Sequence, residues 1–395
     1  MEAMARVTVQ QILQQGYAAF ERSHTLPGYV RKAVWALVAC RTAVLGGHVQ
    51  RCPDGHFERV WYHSCRHRLC PQCAWLQVER WLAQQKARLL ACDHDHIIFT
   101  MPDELRGLWL GNVRAMTNLL FATVHETLDE LLGDVRYLGA CPGIMATLHT
   151  WSQTLVLHPH LHCLVTGGGL TDGGQWRPVR HGFLLPVRVV MALFRGNLLA
   201  ALDTAVRGGQ LSRPASLTLR QWETLRNKLG RQKWNVHIRE RYPHGTGVLT
   251  YVARYIRGGP MANQRLVSGE HGEVTFRYRV NGEASDRKAQ GLLTLPLAEF
   301  IRRYLLHVPE PGTKVVRCYG LYAPTKREAL AVCRAQLGQG SVVQPSVLDW
   351  QTACQDRGDN HPERCPVCGR RLVCLGVILP SRIPPPRAIP WEVVA

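Results

Sequence analysis

The chain has 395 residues, 46% of them hydrophobic, which suits a folded core and excludes a disordered chain. No apolar run approaches the roughly 18 residues of a membrane helix; residues 33–40 come nearest, and the N-terminal MEAMARVTVQQILQQ lacks a secretory core, so a cytoplasmic, nucleoid-associated protein with no membrane partner is expected. A net charge of +19 and a pI near 9.7 point instead to a polyanionic partner, with DNA first among them, and only seven of the 48 cationic residues are lysine. Arginine suits bidentate phosphate contacts, although a GC-rich coding sequence also enriches it.

Apolar spacing predicts helices over residues 9–20 and 29–40, separated by Pro27-Gly28. Residues 40–75 are dense in Cys, His and Arg and weakly periodic, the composition of a small fold held by metal. An amphipathic helix follows over 74–91, then a strand at 96–101 closed by Pro102 and one or two helices over 105–132. Two strands, 144–151 and 155–165, read as a hairpin that ends in Gly167-Gly168-Gly169. A further strand is expected at 181–187, helices at 189–206 and 219–229, and a strand at 234–239. A helix over 249–256 is stopped by Gly258-Gly259-Pro260. A strand at 274–280, helices at 296–306 and 326–337, and a proline-rich tail complete the chain.

The strongest chemical signal is His158-Pro159-His160-Leu161-His162. Alternate residues of a strand share a face, so the three imidazoles point the same way. Such a set can grip one divalent ion and leave positions open for substrate oxygens. His160 and His162 are the first choice; His158, His149 and Gln153 are the candidates for a third ligand.

Tyr251 and Tyr255 stand four residues apart in LTYVARYIRGG, on one face of the expected helix, with Arg254 and Arg257 beside them. A phenol with a pKa of about 10 is a weak nucleophile, which a nearby metal can assist by neutralising charge on a phosphate. Taken alone, such a pair is an ordinary pair of core aromatics; the histidine motif and the basic background give it weight.

Fourteen cysteines cluster toward both ends. Cys70-x2-Cys73 is a two-ligand zinc hook, completed by Cys52 with His56 or by Cys52 with Cys65; Cys40 and His48 lie near enough for a second ion. Arg66 and Arg68, between the hooks, are candidates for DNA-backbone contacts. Cys365-x2-Cys368 forms a second hook, with Cys354, His361 and Cys374 around it, and is a candidate for a second Zn²⁺.

Together, TAVLGGHVQRC, WYHSCRHRLCPQC, HIIFTMP, the HTWSQTL and HPHLHCLVTGGGL block, YVARYIRGG and EFIRRYLLHV resemble the two-tyrosine HUH (His-hydrophobe-His) transposases, the rolling-circle group named after insertion sequence ninety-one. The match runs from about residue 40 to 330. The resemblance implies an α+β chain: a central antiparallel-sheet HUH endonuclease domain with helices, the HUH strand at its centre and a tyrosine helix beside it. A small N-terminal zinc-binding domain and a C-terminal extension with a zinc knuckle flank it. It implies Mg²⁺ or Mn²⁺ at His160 and His162, and attack by Tyr251 or Tyr255 on a scissile phosphate in single-stranded or hairpin transposon ends. Where the family often has a CxxC in its first zinc hook, this chain has Gly55 and His56. The expected domains are 1–91 for zinc-binding recognition, 92–310 for the nuclease with its tyrosine helix near 249–257, and 311–395 for the extension. A relaxase or replication initiator would share the chemistry; a zinc-dependent DNA-binding regulator would need neither tyrosine.

Overall fold

The computed structural model describes residues 7–182, 184–239, 241–247, 249–250, 259–280, 289–356 and 362–381. In chain order the helices are α1 (Val9–Ser23), α2 (Gly28–Ala39), α3 (Trp75–Arg88), α4 (Arg106–Gly111), α5 (Val113–Gly133), α6 (Val187–Arg207), α7 (Leu219–Arg231), α8 (Leu297–Leu305), α9 (Arg327–Gln336) and α10 (Trp350–Asp356). The strands are β1 (Gly47–Arg51), β2 (Glu58–Tyr62), β3 (His94–Thr100), β4 (Cys141–Trp151), β5 (Leu157–Leu170), β6 (Trp176–Pro178), β7 (Asn235–Ile238), β8 (Leu266–Ser268), β9 (Glu273–Arg279), β10 (Gln290–Pro296), β11 (Val316–Gly320) and β12 (Val373–Ile378). The class is α+β, as expected.

The central sheet is antiparallel, in the order β11-β4-β5-β3-β7, with β6 paired to the far end of β5. The HUH strand β5 therefore lies between β4 and β3. Strand alternation sorts its two faces. Ile97 and Phe99 of β3, Ile144, Ala146 and Leu148 of β4, and Leu161, Cys163 and Val165 of β5 pack with α4, α5 and α6 into the largest core. Phe99 meets Phe194 of α6 edge to face at 5.0 Å, and Phe194 meets Trp234 likewise at 5.5 Å. Burying each such aromatic contributes roughly 1.5–3 kcal/mol. The opposite face carries the histidines.

By length and composition α6 could cross a membrane, contrary to the expectation that no run approaches that size. Its apolar side is occupied: Val190, Phe194, Leu198 and Leu202 are core residues. Among the described residues no strand forms at 181–187, where one was expected. Arg180–Gly182 makes one turn of 3-10 helix, Leu184 and Leu185 are buried, and Pro186 caps α6. The apolar run therefore fills the core without joining a ladder.

A second core joins α1, α2, α8 and the three-stranded sheet β10-β9-β8. A capping box between Thr8 and Gln11 starts α1. Gly16 lets α1 approach α8, because a Cβ there would stand 2.8 Å from side-chain atoms of Leu297 and Ile301. The β4–β5 turn is clamped to this core. Leu155 is fully buried in it, at the left-handed φ of +62°. Around the turn, His307 Nε2 donates to Leu155 O (3.1 Å) and Arg303 Nη1 to Thr154 O (3.0 Å). Arg265 Nη2 donates to Gln153 O. Two separate cores thus fix both ends of the histidine hairpin.

Candidate functional site

In the β4–β5 ladder His149 stands opposite His160 and Thr147 opposite His162. The three histidines offer ligand atoms that all lie within 4.8 Å of one another. His158, one alternation further out, turns aside to Asp103 at 3.6 Å and is outside this group. Gln153 lies in the turn beyond β4, also outside it. Of the third-ligand candidates, the structure brings in His149.

Two of the rings are held in place by their other nitrogens, and the third by a stack. His160 Nδ1 donates to His158 O at 2.6 Å, which leaves Nε2 with its lone pair. His162 Nδ1 is 2.7 Å from His96 Nε2 on β3. The Trp151 indole stacks along His149, centroids 5.9 Å apart. Burial keeps these rings neutral. It lowers the pKa of His160 and of His96 to about 4, and those of His149 and His162 well below the usual imidazole range. Neutral imidazoles fixed by hydrogen bonds at the far nitrogen are the donor set a divalent transition ion needs. Strand alternation in the histidine motif does not reach His96, the second histidine of the run HDHIIF on a different strand.

Tyr251, Tyr255, Arg254 and Arg257 lie outside the described residues. Their flanks are described. Leu249 N donates to Gly245 O and Thr250 Oγ1 to Thr246 O, a helical pattern leading toward Tyr251. Leu249 is buried in one hydrophobic cluster with Met145 and Leu164, which share the sheet face of the histidines. On the other flank, Gly259 lines a small cavity with Arg68, Trp151 and His307.

Seven of the fourteen cysteines sort into two groups that differ from the expected set, and Cys354 and Cys374 belong to neither. Cys65, Cys70 and Cys73 gather with Cys40. Sγ–Sγ distances of 3.6 Å (Cys65–Cys73 and Cys70–Cys40) approach the edge of about 3.8 Å of a ZnS₄ tetrahedron with bonds near 2.3 Å. Backbone N–H groups of Cys65 and His67 point at Cys40 and Cys65 sulfurs, at 3.5 and 3.4 Å. Cys52 and His56 do not complete the Cys70–Cys73 hook. They lie with Cys365 and Cys368. The reason is connectivity: α2 delivers Cys40 directly beneath the Cys65–Cys73 loop, whereas the β1–β2 turn projects Cys52 away. Arg66, exposed and at φ +53°, caps the Cys65–Cys70 loop, and Arg68 is half-buried at the cavity already described.

Two families match this chain. One, described as "Transposase zinc-binding domain", covers residues 12–101 and hence the Cys40 cluster; the other, described as "Putative transposase", covers 143–329 and hence the histidine hairpin. A "Putative transposase y4qJ" of Sinorhizobium fredii is 37% identical, across 97% of this chain and 98% of that protein. The chain belongs to the insertion-sequence-ninety-one transposase family. The "Transposase for insertion sequence element IS801" of Pseudomonas savastanoi pv. phaseolicola is 28% identical over 88% of this transposase and 83% of its own length. Among solved structures, the conjugative relaxase TrwC in its metal-bound complex with oriT DNA is similar at 14% identity and a TM-score of 0.22, covering 41% of the transposase and 71% of that chain.

Proposed function

We propose that this transposase nicks and rejoins single-stranded DNA at its element's ends through a covalent 5′-phosphotyrosine, in rolling-circle fashion. The observation that carries the reading is the convergence of His149, His160 and His162, buried and neutral, on one sheet face within 4.8 Å. These three residues would hold one Mg²⁺ or Mn²⁺. Imidazole nitrogen is a better partner for Mn²⁺ than for the hard, oxygen-seeking Mg²⁺. When bound, such an ion supplies Lewis-acid stabilisation of charge on the scissile phosphate.

The chain's own residues do the rest. Tyr251 or Tyr255 attacks phosphorus through its phenolic oxygen and loses its proton. The P–O3′ bond breaks, and the departing 3′ oxygen takes up a proton to become a free hydroxyl. Because the phosphotyrosine conserves the diester's bond energy, rejoining needs no external energy source. The second tyrosine can cut another strand or accept the transferred one. Anchoring of Leu249 in one cluster with Met145 and Leu164, and of Gly259 beside Trp151, supports placing this segment near the histidines. Arg254 and Arg257 would hold phosphate oxygens. Cys40, Cys65, Cys70 and Cys73 would bind structural Zn²⁺ and, with Arg66 and Arg68, form the surface that recognises the transposon end.

The test is a denaturing gel of protein mixed with a single-stranded oligonucleotide bearing the element's end, with and without Mn²⁺. The expected result is a metal-dependent, SDS-resistant adduct that is absent from the Tyr251→Phe/Tyr255→Phe double variant and from His160→Ala. The single variants report which tyrosine cuts first. An adduct that survives the double substitution, or none where the protein binds the same DNA, would overturn the proposal.

A further inference from the structure

The two ends of the chain share a small three-stranded sheet. β1 lies between β2 and β12, pairing with β12 from Gly47↔Ile378 to Arg51↔Val373. Each side of this sheet ends in a tight turn carrying two metal-binding residues. The β1–β2 turn is Cys52-Pro53-Asp54-Gly55-His56, closed by Cys52 N to Phe57 O (2.8 Å) and Gly55 N to Cys52 O (3.0 Å). The turn before β12 is Cys365-Pro366-Val367-Cys368-Gly369-Arg370. It is closed by Cys365 N to Arg370 O (2.8 Å) and Gly369 N to Cys365 O (2.9 Å). The turns are near copies: each opens on Cys-Pro and has a glycine in the left-handed region, Gly55 at φ +78° and Gly369 at φ +73°.

The two turns face each other. Cys52 Sγ lies 3.4 Å from Cys368 Sγ and 3.8 Å from His56 Nδ1, and all four ligand atoms lie within 4.8 Å of one another. Cys52 is fully buried and Cys365 nearly so, packed with Leu372 and Phe57 in a core too small to hold a fold together by itself. Across the gap Arg370 Nη1 meets Asp54 Oδ1 at 2.7 Å.

The geometry points to a second structural zinc site, ligated by Cys52, His56, Cys365 and Cys368, that forms a zinc ribbon from opposite ends of the chain. Three thiolates and one imidazole from paired hooks match structural Zn²⁺ in donor type, number and spacing. Cys52 and Cys368 are 316 residues apart, so the site staples the C-terminal segment onto the zinc-binding module. That module is then finished only after residue 368 has been made. The inference stands apart from the nuclease reading, since none of these residues belongs to the histidine hairpin.

Zinc is counted by elemental analysis of purified full-length variants, each against wild type. Cys52→Ser and Cys365→Ser are each expected to lose one equivalent, and the double variant to lose the same single equivalent. Cys40→Ser combined with Cys52→Ser is expected to lose two. Loss of two by the Cys52/Cys365 pair would mean two separate ions, and loss of none would mean no ion; either overturns the site. Should the serine variants fail to fold, His56→Cys in the cobalt-loaded protein decides. It should keep the full metal count and gain one thiolate's charge-transfer intensity, whereas an unchanged band would refute ligation at position 56.

Discussion

His96 on β3 and His162 on β5 join ring to ring, Nε2 to Nδ1 at 2.7 Å, beneath the candidate metal site. With His162 Nδ1 engaged, its Nε2 is the nitrogen left to face the ion, the role that outer partners of metal-binding histidines usually play. His96→Ala should therefore weaken Mn²⁺ binding by roughly 10–100-fold, while His96→Gln, which keeps a polar partner, should recover part of it. Calorimetric titration with Mn²⁺ reads this directly. Equal affinity in wild type and His96→Ala would show that His96 only fills space.

Arg239 bears on the same pair. Its backbone N–H donates to His96 O at 2.9 Å, and its charge is one of the influences that disfavour protonation of His96 and His162. Burial is the larger influence on both. Arg239→Gln should leave Mn²⁺ affinity at pH 8 within about two-fold of wild type, since burial alone keeps the rings neutral. A much larger loss in the same titration would assign Arg239 a direct part in holding the site.

How far the sequence revealed this site depends on the range of each interaction. His160 and His162 announce themselves because period-two alternation is local, and the same logic brings in His149 on the neighbouring hairpin strand. His96 is invisible to it, being set by the β3–β5 register. Cys70 and Cys73 are a local hook, but their partner Cys40 comes from the end of a helix, and Cys52 finds Cys365 and Cys368 through pairing between chain ends. β11 and β12 escaped notice for a related reason: VRCYG is too short for alternation to show, and VCLGVI stands in a region of irregular composition. At 181–187 a short apolar run looked like a strand because periodicity cannot separate a buried strand from buried loop residues.

Two histidines away from the proposed ligands predict an acid-sensitive fold. His94 donates from Nδ1 to Cys92 O and accepts the Tyr322 hydroxyl at Nε2, 2.7 Å away. His307 donates from Nε2 to Leu155 O and accepts Thr150 Oγ1 at Nδ1. Both rings serve as neutral tautomers, and burial lowers each pKa to about 4 from 6.5. Between those values the unfolded chain binds a proton that the folded chain refuses, so stability is full above about pH 6.5 and falls as pH drops toward 4. The loss should be on the order of 2–3 kcal/mol per histidine. Urea midpoints measured from pH 7.5 to 4.5 should fall steadily, and less steeply in His307→Gln. Equal slopes would exclude His307 as a contributor.

Gly259 couples the end of the tyrosine segment to the Cys40 cluster. It lies at φ +75°, and a Cβ there would sit 2.6 Å from Leu69 O and 2.8 Å from Tyr304 Oη, the hydroxyl that itself donates to Leu69 O. Leu69 precedes Cys70. Gly259→Ala should cost roughly 2–4 kcal/mol, from left-handed strain plus displaced backbone. It should also lower adduct yield more than a core substitution of similar cost away from the histidine hairpin, Leu229→Ala on α7 for example. Denaturant melts and the oligonucleotide gel together separate the two effects: a loss of stability without the extra loss of adduct would confine Gly259 to a structural part.

Removing zinc tests which part of the molecule reads the DNA. The Cys40 cluster holds α2, the Cys65–Cys73 loop and the start of α3 together, and the apolar contacts of Cys40, Leu69 and Cys70 with the second core remain without metal. Chelation should therefore disorder the loop bearing Arg66 and Arg68 more than the central sheet, whose core contains none of these cysteines. The expected outcome is selective. Affinity for the element's end should drop at least ten-fold toward the non-specific level, while adduct formation at high oligonucleotide concentration persists once Mn²⁺ is supplied. Binding curves on end-bearing and scrambled oligonucleotides, before and after treatment with a zinc chelator, provide the measurement. Unchanged discrimination after complete zinc loss would move recognition to the central domain, and loss of both binding and adduct would show that the cluster holds the whole chain together.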